Sequence, residues 1–268
     1  MTASPNAPIG VFDSGIGGLS ILKALRAAMP LENFVYFADS AHNPYGEKSE
    51  AFVIDRSRAI TQQLVQEHGI KALVVACNTA TAVAIDVLRA EHPTLPVVGV
   101  EPALKPAVVI SKTKRIAVLA TRGTLQSAKF SALLTSLQGQ AEFVCTPCDG
   151  LAEQIERSVG HEDATQLVAA CALFIRVCGI FGTKNGQIDT LVLGCTHYPL
   201  VLPYFRQAMG PAVHIVGNGE AIARRTQQLL GRVACPPASV VSSLTLLTSG
   251  DAAALGCAAK YFMETLEY

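Results

Sequence analysis

Two of the eight cysteines in this chain stand where a thiol could do chemistry. Cys77 closes the apolar run Ala72–Ala76 and precedes Asn78-Thr79, which can cap a following helix. Cys195 follows Leu191–Leu193 and precedes Thr196-His197. A thiol at a helix start beside a basic side chain is expected to have a lowered pKa, making thiolate available near neutral pH. The alternative for each is a small buried hydrophobe, as most free cysteines are. Two such thiols on similar segments suit an acid and a base acting on opposite faces of one carbon, the chemistry of stereoinversion.

The segments around them read as a weak internal repeat. KALVVACNTA (Lys71–Ala80) parallels DTLVLGCTHY (Asp189–Tyr198), and IGVFDSGIGG (Ile9–Gly18) parallels IAVLATRGT (Ile116–Thr124). In both halves an opening strand precedes the cysteine strand. A small anionic ligand between two such halves would meet one thiol and one set of helix-start amides from each.

Other motifs offer competing chemistry. Asp13-Ser14-Gly15-Ile16-Gly17-Gly18 joins a strand to a helix and nearly fits a dinucleotide fingerprint, with Asp39 ending the next strand. Against that reading, Ser20 replaces the third glycine and a carboxylate precedes the turn. The loop Asp39–Gly46 holds ordinary turn residues, among them Asn43-Pro44, but lies where open α/β sheets bind ligands. There Tyr45 offers a hydroxyl and Gly46 a close backbone approach. Cys145 and Cys148 have C-x-x-C spacing, yet a zinc site needs a second pair. Cys171 and Cys178 fall on one helix face that reads as core. Cys235 and Cys257 carry no context, and His68, His92, His161 and His214 are isolated. A nucleotide- or metal-binding module is the reading of a different class.

The elements that would position these residues alternate. Strands are expected at Ile9–Asp13, Phe34–Ala38, Ala72–Ala76, Val97–Val100, Ile116–Leu119, Phe143–Cys145, Leu191–Leu193, Val213–Val216 and Leu244–Thr248. Helices are expected between them, the clearest being Ser49–His68, Thr79–Glu91, Leu125–Leu137, Thr165–Val177 and Glu220–Leu230. Several strands are unbroken apolar runs, the pattern of parallel strands buried on both faces. The expected fold class is therefore α/β: two similar, open, mostly parallel-sheet domains, pseudo-twofold related and facing each other across an active-site cleft. Residues 1–98 with 211–268 would form a discontinuous first domain carrying Cys77, and residues 99–210 a second carrying Cys195.

Composition narrows the partners. The 268 residues hold 21 Lys plus Arg and 21 Asp plus Glu, a formal charge of zero, with 50% hydrophobic and 16% charged residues. This neutrality argues against a nucleic acid or an acidic membrane as partner. The low charge and high apolar content exclude disorder. Met1–Pro8 lacks the basic and apolar regions of a signal peptide, and the longest apolar stretch, Leu167–Gly182, is broken by Arg176. The expectation is a cytoplasmic protein with reduced thiols. The one protein partner considered is a second copy, as a homodimer.

Five segments together carry a family resemblance: VFDSGIGGLS (Val11–Ser20), ADSAHNPYGEKS (Ala38–Ser49), ACNTAT (Ala76–Thr81), GVEPALKPA (Gly99–Ala107) and LGCTHYP (Leu193–Pro199). They resemble the glutamate racemases, in the cofactor-independent aspartate/glutamate racemase family. The resemblance implies interconversion of L- and D-glutamate without pyridoxal phosphate or metal, supplying D-glutamate for peptidoglycan. It implies that Cys77 acts on the D-enantiomer with help from Asp13. Cys195 would act on the L-enantiomer with help from His197 and Glu156. It also implies substrate contacts from Asp13, Ser14, Tyr45, Gly46, Asn78, Thr79, Thr121, Thr124, Thr196 and His197. The nearest alternative is a sister racemase or isomerase for aspartate, hydantoin or maleate-type substrates. The chain departs from the family pattern at Gly217-Asn218 and within Cys145–Gly150. Members activated by a cell-wall precursor have a long N-terminal extension. Only about eight residues precede the first strand here, so that activation is not expected.

Overall fold

A computed structural model describes residues 4, 6–159, 163–231 and 242–265. His161 and Cys235 lie outside them. The strands are β1 (Ile9–Asp13), β2 (Phe34–Ala38), β3 (Ala72–Val75), β4 (Val97–Gly99), β5 (Arg115–Ala120), β6 (Glu142–Pro147), β7 (Thr190–Gly194), β8 (His214–Val216) and β9 (Leu244–Thr248). The α-helices are α1 (Leu19–Ala28), α2 (Glu50–His68), α3 (Asn78–Glu91), α4 (Leu104–Ile110), α5 (Arg122–Gln126), α6 (Ala128–Ser136), α7 (Leu151–Ser158), α8 (Thr165–Cys178), α9 (Leu202–Met209), α10 (Gly219–Leu230) and α11 (Ala252–Thr265). None of the described helices is long and apolar enough to cross a membrane.

Two wholly parallel sheets result. The first has the order β4-β3-β1-β2-β9, the second β6-β5-β7-β8. Read from the other edge, the second order is β8-β7-β5-β6, which repeats β4-β3-β1-β2 strand for strand. This is the pseudo-twofold relation suggested by the internal repeat. In each half the order reverses between the opening strand and the cysteine strand, β1 and β3 or β5 and β7. Ligands of open parallel sheets bind at the carboxyl ends of such strand pairs. Asp13 ends β1, Cys77 follows β3, Thr121 follows β5 and Cys195 follows β7.

The parallel strands are apolar on both faces because both are covered. Phe12, Val35, Leu73 and Val75 pack with Val53, Ile60 and Leu64 of α2 and Ala84 and Leu88 of α3. The opposite face, with Val11, Tyr36 and Val74, belongs to a larger cluster. It takes in Leu22 of α1, Ile222 of α10 and Leu255 of α11, and runs on into Leu119, Leu193, Ile155 and Phe205 of the second half. One apolar core thus crosses the junction and holds the two sheets' carboxyl edges together.

Three local expectations are corrected. Strand β8 pairs with β7, so His214–Val216 belongs to the second sheet, and the proposed return at residue 211 cuts that sheet. β9, by contrast, extends the first sheet beside β2. The predicted helix Leu125–Leu137 divides at Ser127. That residue is extended (φ −69°, ψ 148°), and its hydroxyl accepts from Phe130 N–H to cap α6. Cys195 does not open an α-helix as Cys77 does. A 3₁₀ turn, Tyr198–Val201 with Pro199 in its first turn, intervenes before α9.

Candidate active site

The glycine-rich turn after β1 meets the second half directly. Asp13 Oδ2 accepts from Gly18 N–H at 2.7 Å, and Glu156 Oε1 of α7 accepts from Ile16 N–H at 2.7 Å. Two protein carboxylates therefore occupy the amides that a pyrophosphate would need. The glycines make room for the second half. A Cβ at position 15 would lie 1.8 Å from Glu156 Oε1, and one at position 17 would lie 2.4 Å from His197 Nδ1. Asp39, the carboxylate that a dinucleotide ribose would require, is fully engaged. It accepts from Arg56 at 2.8 and 2.9 Å, from the Tyr45 hydroxyl at 2.5 Å and from His42 Nδ1 at 2.9 Å. Burial works against that charge, but the Arg56, Tyr45 and His42 bonds hold the carboxyl at about 2. The dinucleotide reading fails on this geometry.

Both thiols line one cleft between the sheets' carboxyl edges, together with Ser14, Tyr45, Gly46, Asn78, Thr79, Thr121, Thr196 and His197. Asn43, Pro44 and Ala152 line it too; the sequence marked Asn43-Pro44 only as turn residues and gave no signal for Ala152. Cys77 and Cys195 are both buried, at 5% and 7% exposure. Asp13, Glu156 and Thr124 stand behind this lining. Thr196 Oγ1 donates to Asp13 across the junction at 3.3 Å, and the Thr124 hydroxyl accepts from Thr121 at 2.9 Å. The Tyr45 hydroxyl gives its proton to Asp39 and has none to offer the cleft.

The surroundings of the two thiols differ. Cys77 Sγ caps α3, accepting from Ala80 N–H at 3.4 Å, and lies 3.8 Å from Ser14 Oγ. The expected lowering of its pKa does not occur. Burial pushes this thiol far above the ordinary range, the nearby Asp13 adds to the rise, and one amide bond cannot offset them. Cys195 Sγ lies 3.7 Å from His197 Nδ1, and the other ring nitrogen, Nε2, donates to Glu156 Oε1 at 2.7 Å. Burial alone would discharge His197. The Cys195 sulfur and the Glu156 carboxylate outweigh it and hold the imidazolium well above its usual pKa. Asp13 is pushed up to about 6 by burial, against the pull of His197 and the Gly18 amide. One thiol thus faces a carboxyl poised near neutrality and the other faces a cation.

The remaining described cysteines are placed differently. Burial raises Cys145 to about 11 and Cys171 to about 12, and raises Cys148 and Cys178 as well. Thr146 Oγ1 lies 3.2 Å from Cys178 Sγ, and Cys148 sits in the core at 2% exposure. Among the described residues no group of three or more His, Cys, Asp or Glu side chains is arranged to hold a metal ion.

The family model for Asp/Glu/Hydantoin racemase matches residues 19–226. A glutamate racemase of Pseudomonas paraeruginosa is 43% identical over 252 residues, 94% of this chain and 88% of that protein. Among solved structures, a glutamate racemase isoform of Bacillus anthracis superposes with a TM-score of 0.83 at 28% identity, covering 98% of this chain and 96% of that one. The Escherichia coli glutamate racemase, solved in complex with L-glutamate and the activator UDP-MurNAc-ala, gives a TM-score of 0.82 at 32% identity, covering 94% and 92%.

Proposed function

Because this chain belongs to the Asp/Glu/Hydantoin racemase family, we propose that it interconverts L- and D-glutamate by proton transfer through two thiols, supplying D-glutamate for peptidoglycan. The observation that carries the reading is the placement of Cys77 and Cys195 at equivalent strand ends of two pseudo-twofold sheets, lining one cleft.

The proton balance needs no other reactant. A thiolate on one face takes the Cα proton, and the C–H electron pair stays on Cα, delocalised into the α-carboxylate. The thiol on the other face gives its proton to Cα. The configuration inverts, and the thiolate has moved from one sulfur to the other. Cys77 acts on the D-enantiomer and Cys195 on the L-enantiomer. The His197 imidazolium, held by Glu156, supports a thiolate on Cys195. Cys77, pushed up by burial, is the natural proton donor to an incoming L-substrate. Asp13 sits beside it with a near-neutral pKa and can take up or give back a proton as the thiol titrates. The cycle uses neither pyridoxal phosphate nor metal. Hydroxyls of Ser14 and Thr79, with the amides that open α3, can donate to the substrate carboxylates, and no lysine or arginine is in the lining. Thiols that take and give protons must stay reduced, which fits a reducing compartment such as the cytoplasm.

The test incubates purified protein with L-glutamate in heavy water, following optical rotation and the Cα proton. Loss of both is expected in the unmodified chain, with neither Cys77→Ser nor Cys195→Ser completing racemisation. Retention of both signals with intact thiols refutes the activity, and wild-type turnover in either variant refutes the two-thiol assignment.

A further inference from the structure

Two buried carbonyl oxygens at the cleft have no hydrogen-bond partner, Oδ1 of Asn43 and Oδ1 of Asn78. The orientation of Asn78 is fixed. Its Nδ2 donates to Val100 O at 3.2 Å, and exchanging the amide ends would set oxygen against oxygen. Asn43 stands between the 3₁₀ turn Ser40–His42 and Pro44, with its Nδ2 turned toward the glycine loop, 3.3 Å from where a Cβ on Gly15 would sit. A buried acceptor without a donor costs free energy, and two at one cleft point to a donor supplied by what binds there.

The proposed substrate has one such group. At neutral pH the four carboxylate oxygens of glutamate only accept, and the α-ammonium alone donates. The acidic side chains behind the cleft already serve other donors: Asp13 accepts from Gly18 N–H and Thr196, and Glu156 Oε1 from Ile16 N–H and His197. We infer that Asn43 is a substrate-binding residue whose side-chain oxygen accepts from the α-ammonium, alongside Asn78. This rests on the glutamate reading above. A neutral acceptor suits the place, because it orients the ammonium without adding negative charge beside two sulfurs that must carry a thiolate in turn. The sequence offered Asn43 only as a turn residue before proline, and the fold brings it to the lining of the cleft that holds both thiols.

The test compares Asn43→Leu and Asn43→Asp with the unmodified chain. It measures kcat and KM for both enantiomers, inhibition by glutarate (the same dicarboxylate without the ammonium) and thermal unfolding. A contact made equally in ground and transition states changes KM alone. Asn43→Leu should therefore raise KM for both enantiomers by about 10- to 100-fold, the range for a hydrogen bond to a charged group. Here kcat should stay within about threefold and glutarate inhibition should be unchanged. Asn43→Asp keeps an acceptor but adds a negative charge beside the two sulfurs, so KM for glutamate should rise less than in Asn43→Leu, while kcat falls and glutarate binds less tightly. An unchanged KM in Asn43→Leu, or an equal weakening of glutamate and glutarate, overturns the assignment. If Asn43→Leu does not fold, equal weakening of the two ligands in Asn43→Asp overturns it alone. Failure of the glutamate reading would show as inactivity of the unmodified chain, whereas failure of the Asn43 assignment shows only in the variants.

Discussion

Replacing Glu156 by Gln tests how the second half holds its cation. The hydrogen bonds from His197 Nε2 and Ile16 N–H both end on Oε1, each at 2.7 Å. A glutamine oxygen in the same place can accept both, so the change removes charge and keeps geometry. Hydrogen bonds to charged groups contribute about 1.5–3 kcal/mol and neutral ones about 0.5–1.5, a loss of roughly 1 kcal/mol for each bond. At 1.36 kcal/mol per pKa unit, the His197 share corresponds to about 0.7 unit. His197 has a folded pKa raised well above its usual value, so its stabilisation is complete below about pH 6.5 and fades as pH rises through the folded value. The variant should therefore lose about 2 kcal/mol of folding stability at pH 6 and less at high pH. The basic limb of its pH–rate profile should move down by about 0.7 unit, because the cation beside Cys195 is lost sooner. The assay is racemisation by circular dichroism from both enantiomers across pH 6 to 10, with urea unfolding at both ends of that range. The enantiomers have equal free energy in water, so kcat/KM must fall equally in the two directions. A basic limb that stays in place, with equal stability loss at both pH values, would refute the reasoning.

Gly15→Ala should cost about 2–4 kcal/mol and more activity than Glu156→Gln, since its methyl would lie 1.8 Å from Glu156 Oε1 and drive the carboxylate from both bonds. In a Glu156→Ala background the same substitution should cost little, and strict additivity in that double-mutant cycle would show that the two residues do not meet. Cys148→Ser should keep turnover within about threefold while losing about 1–2 kcal/mol, because a buried, protonated thiol gives way to a more polar hydroxyl. A large loss of turnover with unfolding unchanged would give that thiol a part in the chemistry.

Much of this protein is written locally in its sequence. Unbroken apolar runs such as Leu73–Val75 and Leu191–Leu193 fit strands covered on both faces, and their alternation with helical patterns points to the α/β class. The two strand-end cysteines and the repeated order around them are equally local, since an opening strand and a cysteine strand need only neighbouring residues to be recognised. Local pattern also had limits. Ser127 interrupts a helix that apolar spacing continued, because a capping hydroxyl competes with the helix for its own backbone.

The tertiary structure decided whatever depends on distant contacts. Ile16 and Glu156 are 140 residues apart, and only their meeting shows that the glycine turn receives a carboxylate and an imidazole in place of a nucleotide. The edge taken by β8 follows from its pairing with β7, which three apolar residues cannot specify. Helix position suggested that Cys77 would ionise readily, but burial and the charge of Asp13 raise its pKa, and neither can be read from a neighbouring residue. The unpartnered oxygen of Asn43 belongs to the same class. Strands and helices form from periodicity within the chain, whereas proton affinity and unmet hydrogen bonds are set by what the fold brings alongside.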